Sequence, residues 1–284
     1  MSEAASSEPL FLERGDGYRF AMLHLPAGLC RAAVLYLHPF AEEMNKARRM
    51  AALQAQALAA HGVAVLLLDL HGCGDSSGEF HDASWDSWLD DAAHASAWLR
   101  QHSGRPVTLW GLRLGALLAL AAARRDPAIA GLLLWQPVLD GAVHLTQFLR
   151  LRVAGDMLGG PEGAAAAGGT AALRAALARG DILEVAGYAL APALARGMDG
   201  ARAADAVPHC PVRWLEVASS PERALAPASL RVLEGWRAAG ADARLAQIVG
   251  EPFWATQEIA ECPALLEATV NELAALANAA SCHA

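Results

Sequence analysis

The stretch Val107-Thr108-Leu109-Trp110-Gly111-Leu112-Arg113-Leu114-Gly115-Ala116 sets an arginine midway between two glycines. A short apolar run leads into it and an Ala/Leu-rich run follows at once. Glycines at this spacing permit a strained strand-to-helix turn that lifts the middle side chain over the edge of a sheet. A serine in that place would be a nucleophile. A guanidinium is not: it stays protonated at any working pH and presents a planar fork of N–H donors. The chemistry open to Arg113 is recognition of a carboxylate or phosphate, or burial as half of an ion pair.

Other polar groups stand at positions within reach of the same site. Glu42, Glu43, Asn45, Lys46 and Arg48 open a helical run. Acidic residues there complement the helix dipole, and a Glu42–Lys46 pair at i,i+4 adds a few tenths of a kcal/mol, roughly. Glu42 or Glu43 is equally placed to reach Arg113, and either is a candidate for activating water. Glu222 and Glu251 are further candidate partners. Lys46 is the only lysine among 22 basic residues. His71 and Cys73 form a weaker Cys–His pair, and Ser76 reads as a structural hydroxyl of a Gly-rich turn.

Positioning these groups requires a layered scaffold. Leu10–Glu13 and Tyr18–Leu25, around Arg14-Gly15-Asp16-Gly17, predict an antiparallel hairpin. Continuous apolar runs at 32–37 and 63–70 predict buried strands, and further strands are expected at 107–111, 131–135, 212–217 and 243–249. Helical spacing falls between them at 42–61, 86–102, 114–125 and 227–239, and a last helix is expected over 263–280. Strands alternating with helices imply a mostly parallel eight-stranded sheet with helices on both faces. From Gly141 to Val207 the rhythm breaks. A Gly/Ala-rich stretch over 155–172 is followed by two short helical patterns, around Leu173–Arg179 and Tyr188–Arg196. We expect one domain over 1–284, with 141–207 as a helical cap insertion.

Bulk properties narrow the partners. Net charge is −8, which disfavours a general attraction to nucleic acid. With 55% hydrophobic and 18% charged residues, one large core is expected. The acidic, polar start MSEAASSEPL lacks the pattern of a secretory signal, and no apolar run reaches membrane-spanning length. A cytoplasmic protein without a transmembrane segment is expected. Five scattered cysteines without a C-x-x-C pair point to free thiols, and the histidines show no metal-ligand spacing. Neither a metal nor another cofactor is expected.

Four landmarks resemble the α/β-hydrolase superfamily: His38-Pro39-Phe40, Asp69-Leu70-His71-Gly72-Cys73-Gly74-Asp75-Ser76, the Arg113 turn, and Trp135-Gln136-Pro137. More narrowly, HPFAEEMNKARRM, LLDLHGCGDSSGEF, GLRLGA and GEPFW resemble the exosortase A system-associated hydrolases, type 2. The resemblance implies an α/β-hydrolase fold whose catalytic members come in the order nucleophile, acid, histidine. It puts Arg113 in the nucleophile slot and Glu222 or Asp140 in the acid slot. The histidine slot falls on Gly250-Glu251-Pro252-Phe253-Trp254, which has none; the next histidine is His283. With nucleophile and base both absent, a Ser-His-Asp mechanism is excluded.

The expected function is an accessory or anionic-ligand-binding protein of an exosortase-linked exopolysaccharide system. Arg113 would be the fork, helped by the backbone N–H groups of Phe40 and Leu114. His38, Lys46 and Glu251 would border the site, and Arg150 and Arg152 would close it from the cap. The partners would be a small anionic or acyl-type ligand and other proteins of that system. The alternative is a hydrolase or acyltransferase of esterase or thioesterase type using an unusual set such as Glu42 and Glu43.

Overall fold

Continuous apolar runs become the central strands. In the computed structural model, which describes residues 5–158 and 168–281, β3 (Ala32–Leu37), β4 (Val63–Leu68), β5 (Val107–Leu112) and β6 (Ile129–Trp135) are almost wholly buried. The expected hairpin is β1 (Ser6–Arg14) and β2 (Gly17–Leu25), and β9 (Val212–Ala218) and β10 (Ala243–Val249) complete the sheet. Its order is β1-β2-β4-β3-β5-β6-β9-β10. The β1–β2 and β2–β4 pairings are antiparallel and the rest parallel.

Alternation along each strand splits the core between two faces. Val34, Tyr36, Trp110 and Leu112 pack with Met50 of α1 (Glu42–Ala60) and Leu265 of α8 (Pro263–Ser281). Leu35, Leu37 and Leu109 pack with Trp88 of α2 (Trp85–Ser103) and Leu117 of α3 (Leu114–Arg125). Each such aliphatic side chain contributes about 1.5–3 kcal/mol on burial. Helix α7 (Pro227–Ala238) links β9 to β10.

A buried ion pair ties the hairpin to this core. Arg19 of β2 is 1% exposed, and its Nε donates to Asp91 Oδ1 of α2 at 2.7 Å. The other Asp91 oxygen accepts the His71 backbone N–H at 2.8 Å, fixing the turn after β4. Ser76 is spent within that turn: its hydroxyl donates to the Asp69 carbonyl and accepts the Phe20 N–H.

Between β6 and β9 lie α4 (Gly141–Leu158), α5 (Gly169–Arg179), a small hairpin of β7 (Leu183–Val185) and β8 (Tyr188–Leu190), and α6 (Pro192–Gly200). The helical pattern around Leu173–Arg179 falls in α5. The pattern around Tyr188–Arg196 needs correction, because Tyr188–Leu190 is a strand and the helix starts only at Pro192. Its hairpin turns at Ala186 and Gly187, both with positive φ, so the alanine conceals a turn usually marked by Asn-Gly or Asp-Gly. The Gly/Ala-rich stretch over 155–172 lies partly outside the described residues, as does His283. Among the described residues, no helix is long and apolar enough to cross a membrane, and no side-chain group is arranged to hold a metal.

Candidate functional site

The Gly111–Gly115 turn is built as the sequence requires. Arg113 is the N-cap of α3 with φ 55° and ψ −117°, a conformation that costs a non-glycine residue about 1–3 kcal/mol. Its N–H donates to the Trp135 carbonyl at 3.0 Å, and its own carbonyl accepts from Ala116 and Val138. The flanking glycines have no room for a side chain. A Cβ on Gly115 would lie 2.1 Å from the Leu37 carbonyl oxygen, and one on Gly111 would lie 2.4 Å from Ala116 Cα. This packing brings α3 against the end of β3.

The next loop repeats the geometry. Ala41 is the N-cap of α1 with φ 50° and ψ −127°. Two strained helix starts, at Ala41 and Arg113, therefore converge on one small cavity of about 170 Å³. Its walls include Phe40, Glu42 and Glu43 from the first start, Arg113 from the second, and His144, Phe148 and Leu151 from α4.

Arg113 is held from two sides. Its Nε donates to Glu43 Oε1 at 3.2 Å, both side chains being about four-fifths covered. Its guanidinium carbon lies 5.8 Å from the ring centre of Trp254, within cation–π range. The terminal nitrogens of Arg113 have no acceptor among the described residues. Burial pushes the Glu43 carboxyl above its usual range, against the opposing pull of Arg113. The second Glu43 oxygen is buried without a hydrogen-bond partner.

His144 is the site residue that sequence reasoning missed. Burial first, and the Arg113 charge second, drive its pKa down to about 3, so the ring is neutral. Both ring nitrogens are buried without a partner. The ring sits 5.9 Å from Phe40, which packs edge-on against Phe148 at 4.9 Å.

The fold is shared widely. A family model described as serine aminopeptidase, S33, matches residues 29–160, from the approach to β3 through α4. Est1E from Butyrivibrio proteoclasticus superposes with a TM-score of 0.63 at 18% identity, covering 94% of this chain and 98% of that one. The α/β hydrolase GrgF from Penicillium sp. sh18 gives 0.62 at 17% identity, covering 96% and 98%. The chain has the α/β-hydrolase fold. XC6422 from Xanthomonas campestris, described as an α/β serine hydrolase without a lid, gives 0.56 at 15% identity, covering 93% and 92%. No curated protein matches the chain by sequence.

Set on the α/β-hydrolase fold, the other candidate residues separate. Glu42 borders the cavity, but its carboxylate accepts from Asn45 and from the Tyr188 hydroxyl, tying α1 to β8. Phe40 and Leu114 are buried beside Arg113, and neither backbone N–H has an acceptor among the described residues. Lys46 lies one turn beyond Glu43 and acts on it only through its charge. Glu251 and Glu222 are exposed and make no ion pair among the described residues. In the loop after β10 it is Trp254, not Glu251, that meets Arg113.

His38 is committed elsewhere. Its Nδ1 donates to the Pro39 carbonyl and its Nε2 accepts the Leu70 N–H, which fixes the tautomer and leaves no ring nitrogen for a ligand. Arg152 binds Asp156 and the Glu184 carbonyl, stapling α4 to β7, and Arg150 is exposed. Asp140 receives the Val143 N–H and pairs with Arg202 at 3.3 Å, so it is spent on starting α4. Burial pushes the Cys73 thiol far up, keeping it protonated.

Proposed function

We propose that the chain uses the elbow of its α/β-hydrolase fold to bind a small carboxylate, with Arg113 as the fork, and performs no Ser-His-Asp hydrolysis. One observation carries this reading. Arg113 is anchored through Nε alone, while its two terminal nitrogens, on the same fork, lack protein acceptors among the described residues. That leaves the pair of donors that a carboxylate takes bidentately. The apolar walls of Phe40, Phe148 and Leu151 suit a short acyl or aromatic body, and the cavity of about 170 Å³ limits its size. Segment 141–207 serves as the cap, since His144, Phe148, Leu151 and Ala186 close the cavity from above.

The triad is degenerate on this reading. No serine, threonine or cysteine lines the cavity among the described residues, and the loop after β10 supplies an aromatic ring where a histidine would be needed. The motif wording HPFAEEMNKARRM, LLDLHGCGDSSGEF, GLRLGA and GEPFW supports a role as a cytoplasmic accessory protein in exosortase-linked exopolysaccharide production. A thermal-shift panel of acetate, butanoate, hexanoate and benzoate tests the reading, because a ligand that binds only the native state raises the melting midpoint. Hexanoate and benzoate should stabilise more than acetate. A flat response across the panel contradicts it.

A second reading has one observation in its favour. The carboxyl of Glu43 is raised by burial and keeps one oxygen unpartnered, as a general base for water would. Turnover of a p-nitrophenyl ester that disappears in Glu43→Gln would establish it.

A further inference from the structure

A second cleft, about 450 Å³ in volume, lies along α3 from Leu117 to its C-terminal end and, among the described residues, shares no lining residue with the Arg113 cavity at the helix start. Four arginines surround it: Arg124 and Arg125 at the end of α3, Arg196 from α6, and Arg202 just beyond α6. Among the described residues, the only acidic one in its lining is Asp205. For a chain of net charge −8, this is a local reversal of sign. The C-terminal dipole of α3 explains why Arg124 and Arg125 are tolerated there. It does not explain why two further arginines converge on the same cleft from a segment some seventy residues downstream.

The four are not equally committed. Arg125 pairs with Asp86 and Asp90, and Arg202 pairs with Asp140, all carboxylates outside the cleft lining. Arg124 touches only the Asp205 carbonyl, through one nitrogen. Arg196 is exposed and has no hydrogen bond or ion pair among the described residues. Two guanidinium groups are thus free of carboxylates beside two that are neutralised. The floor between them is apolar, formed by Trp85, Leu89 and Leu117. Close packing sets one wall, since a Cβ on Gly197 would lie 2.0 Å from Trp85 Cβ.

We infer that this cleft is a binding site for an organic phosphate, whose dianionic head is received by Arg124 and Arg196 and whose apolar body lies over Trp85 and Leu89. Arginine forks match phosphate oxygens in pairs, and two uncompensated cations favour a dianion over a single carboxylate. The apolar floor adds affinity that bare inorganic phosphate cannot collect.

Calorimetric titration of the whole chain with phenyl phosphate, inorganic phosphate and benzoate tests this directly. Phenyl phosphate should bind at one site, more tightly than either of the other two. Arg124→Ala and Arg196→Ala should each weaken it by about tenfold, the scale of one lost charge-assisted contact. Both side chains are exposed, so an unchanged melting midpoint shows that the fold is intact. Three results overturn the inference: no saturable binding up to about 10 mM, equal affinity for benzoate, or binding that is lost in Arg113→Ala while surviving both cleft variants. The last would assign the phosphate to the elbow cavity and leave the carboxylate reading of Arg113 to be judged on its own titration.

Discussion

Glu43 holds Arg113 by one nitrogen, Nε to Oε1 at 3.2 Å, and leaves the ends of the fork without a protein acceptor among the described residues. A purely structural pair and a ligand-positioning pair predict different consequences of removing the carboxylate charge. Breaking a fully buried ion pair costs about 3–5 kcal/mol. Here each side chain is about a fifth exposed, and burial already disfavours the ionised carboxyl. Glu43→Gln should therefore cost less than about 1 kcal/mol in urea unfolding at pH 7. It should also tighten binding of a carboxylate at Arg113 by about tenfold, because a competing negative charge is gone. A large stability loss with no gain in affinity would favour the structural pair.

Restoring a serine should not restore an esterase. In Arg113→Ser the hydroxyl would stand at a well-formed elbow, but the one histidine lining the cavity among the described residues is His144, a poor base with a pKa pushed down to about 3 and both nitrogens buried. Hydrolysis of p-nitrophenyl butyrate by this variant should not exceed that of the wild type. Fluorophosphonate should label neither protein at position 113. Turnover above background would mean that a base reaches the elbow from elsewhere.

Much of this arrangement is written locally in the chain. The apolar runs of β3, β4, β5 and β6 specify buried strands, and Gly111 and Gly115 specify the elbow because carbonyl and backbone atoms occupy the space a Cβ would need. The partners of Arg113 were legible only as a short set of carboxylates, since sequence spacing does not say which glutamate of a first helical turn faces inward. His144 was not legible. It sits on α4, whose apolar residues run around the whole circumference (Val143, Leu145, Phe148, Leu149, Leu151, Val153), so no face stands out as the one that covers the elbow. Trp254 was read as part of a loop lacking a histidine, and its role emerges only from the ring lying beside the Arg113 guanidinium.

His144 should make the protein acid-sensitive. Its ordinary pKa of 6.5 in the unfolded chain falls to about 3 on folding. Between those values the unfolded state takes up a proton that the native state refuses. Stability is therefore lost as pH falls from about 6.5, by up to an amount on the order of 4 kcal/mol near pH 3. The raised carboxyls of Glu43 and Asp91 work in the opposite direction, favouring the native state at low pH. A comparison of wild type with His144→Leu isolates the histidine. The variant should gain stability relative to wild type as pH drops from 6.5 to 4, followed by urea melts; parallel curves would show that the ring is protonated in the folded protein.

The Arg19–Asp91 pair should matter far more to stability than the Arg113–Glu43 pair. Arg19 is 1% exposed, the Asp91 side chain is fully covered, and the carboxylate also fixes the His71 N–H. Asp91→Ala leaves the buried Arg19 guanidinium with only the half-exposed Asp16 carboxylate, 2.8 Å from its Nη2, and strands the His71 backbone donor, and should cost about 3 kcal/mol in urea unfolding. A loss below about 1 kcal/mol would show that Asp16 or solvent takes over the charge.

The account rests on Arg113 as a carboxylate fork, and calorimetric titration of hexanoate into wild type and Arg113→Ala tests that most directly. The wild type should bind one hexanoate. The variant should retain its melting behaviour and lose at least about tenfold in affinity, the value of a charge-assisted bidentate contact. Equal affinity in the two proteins, or no saturable binding in the wild type, would contradict it.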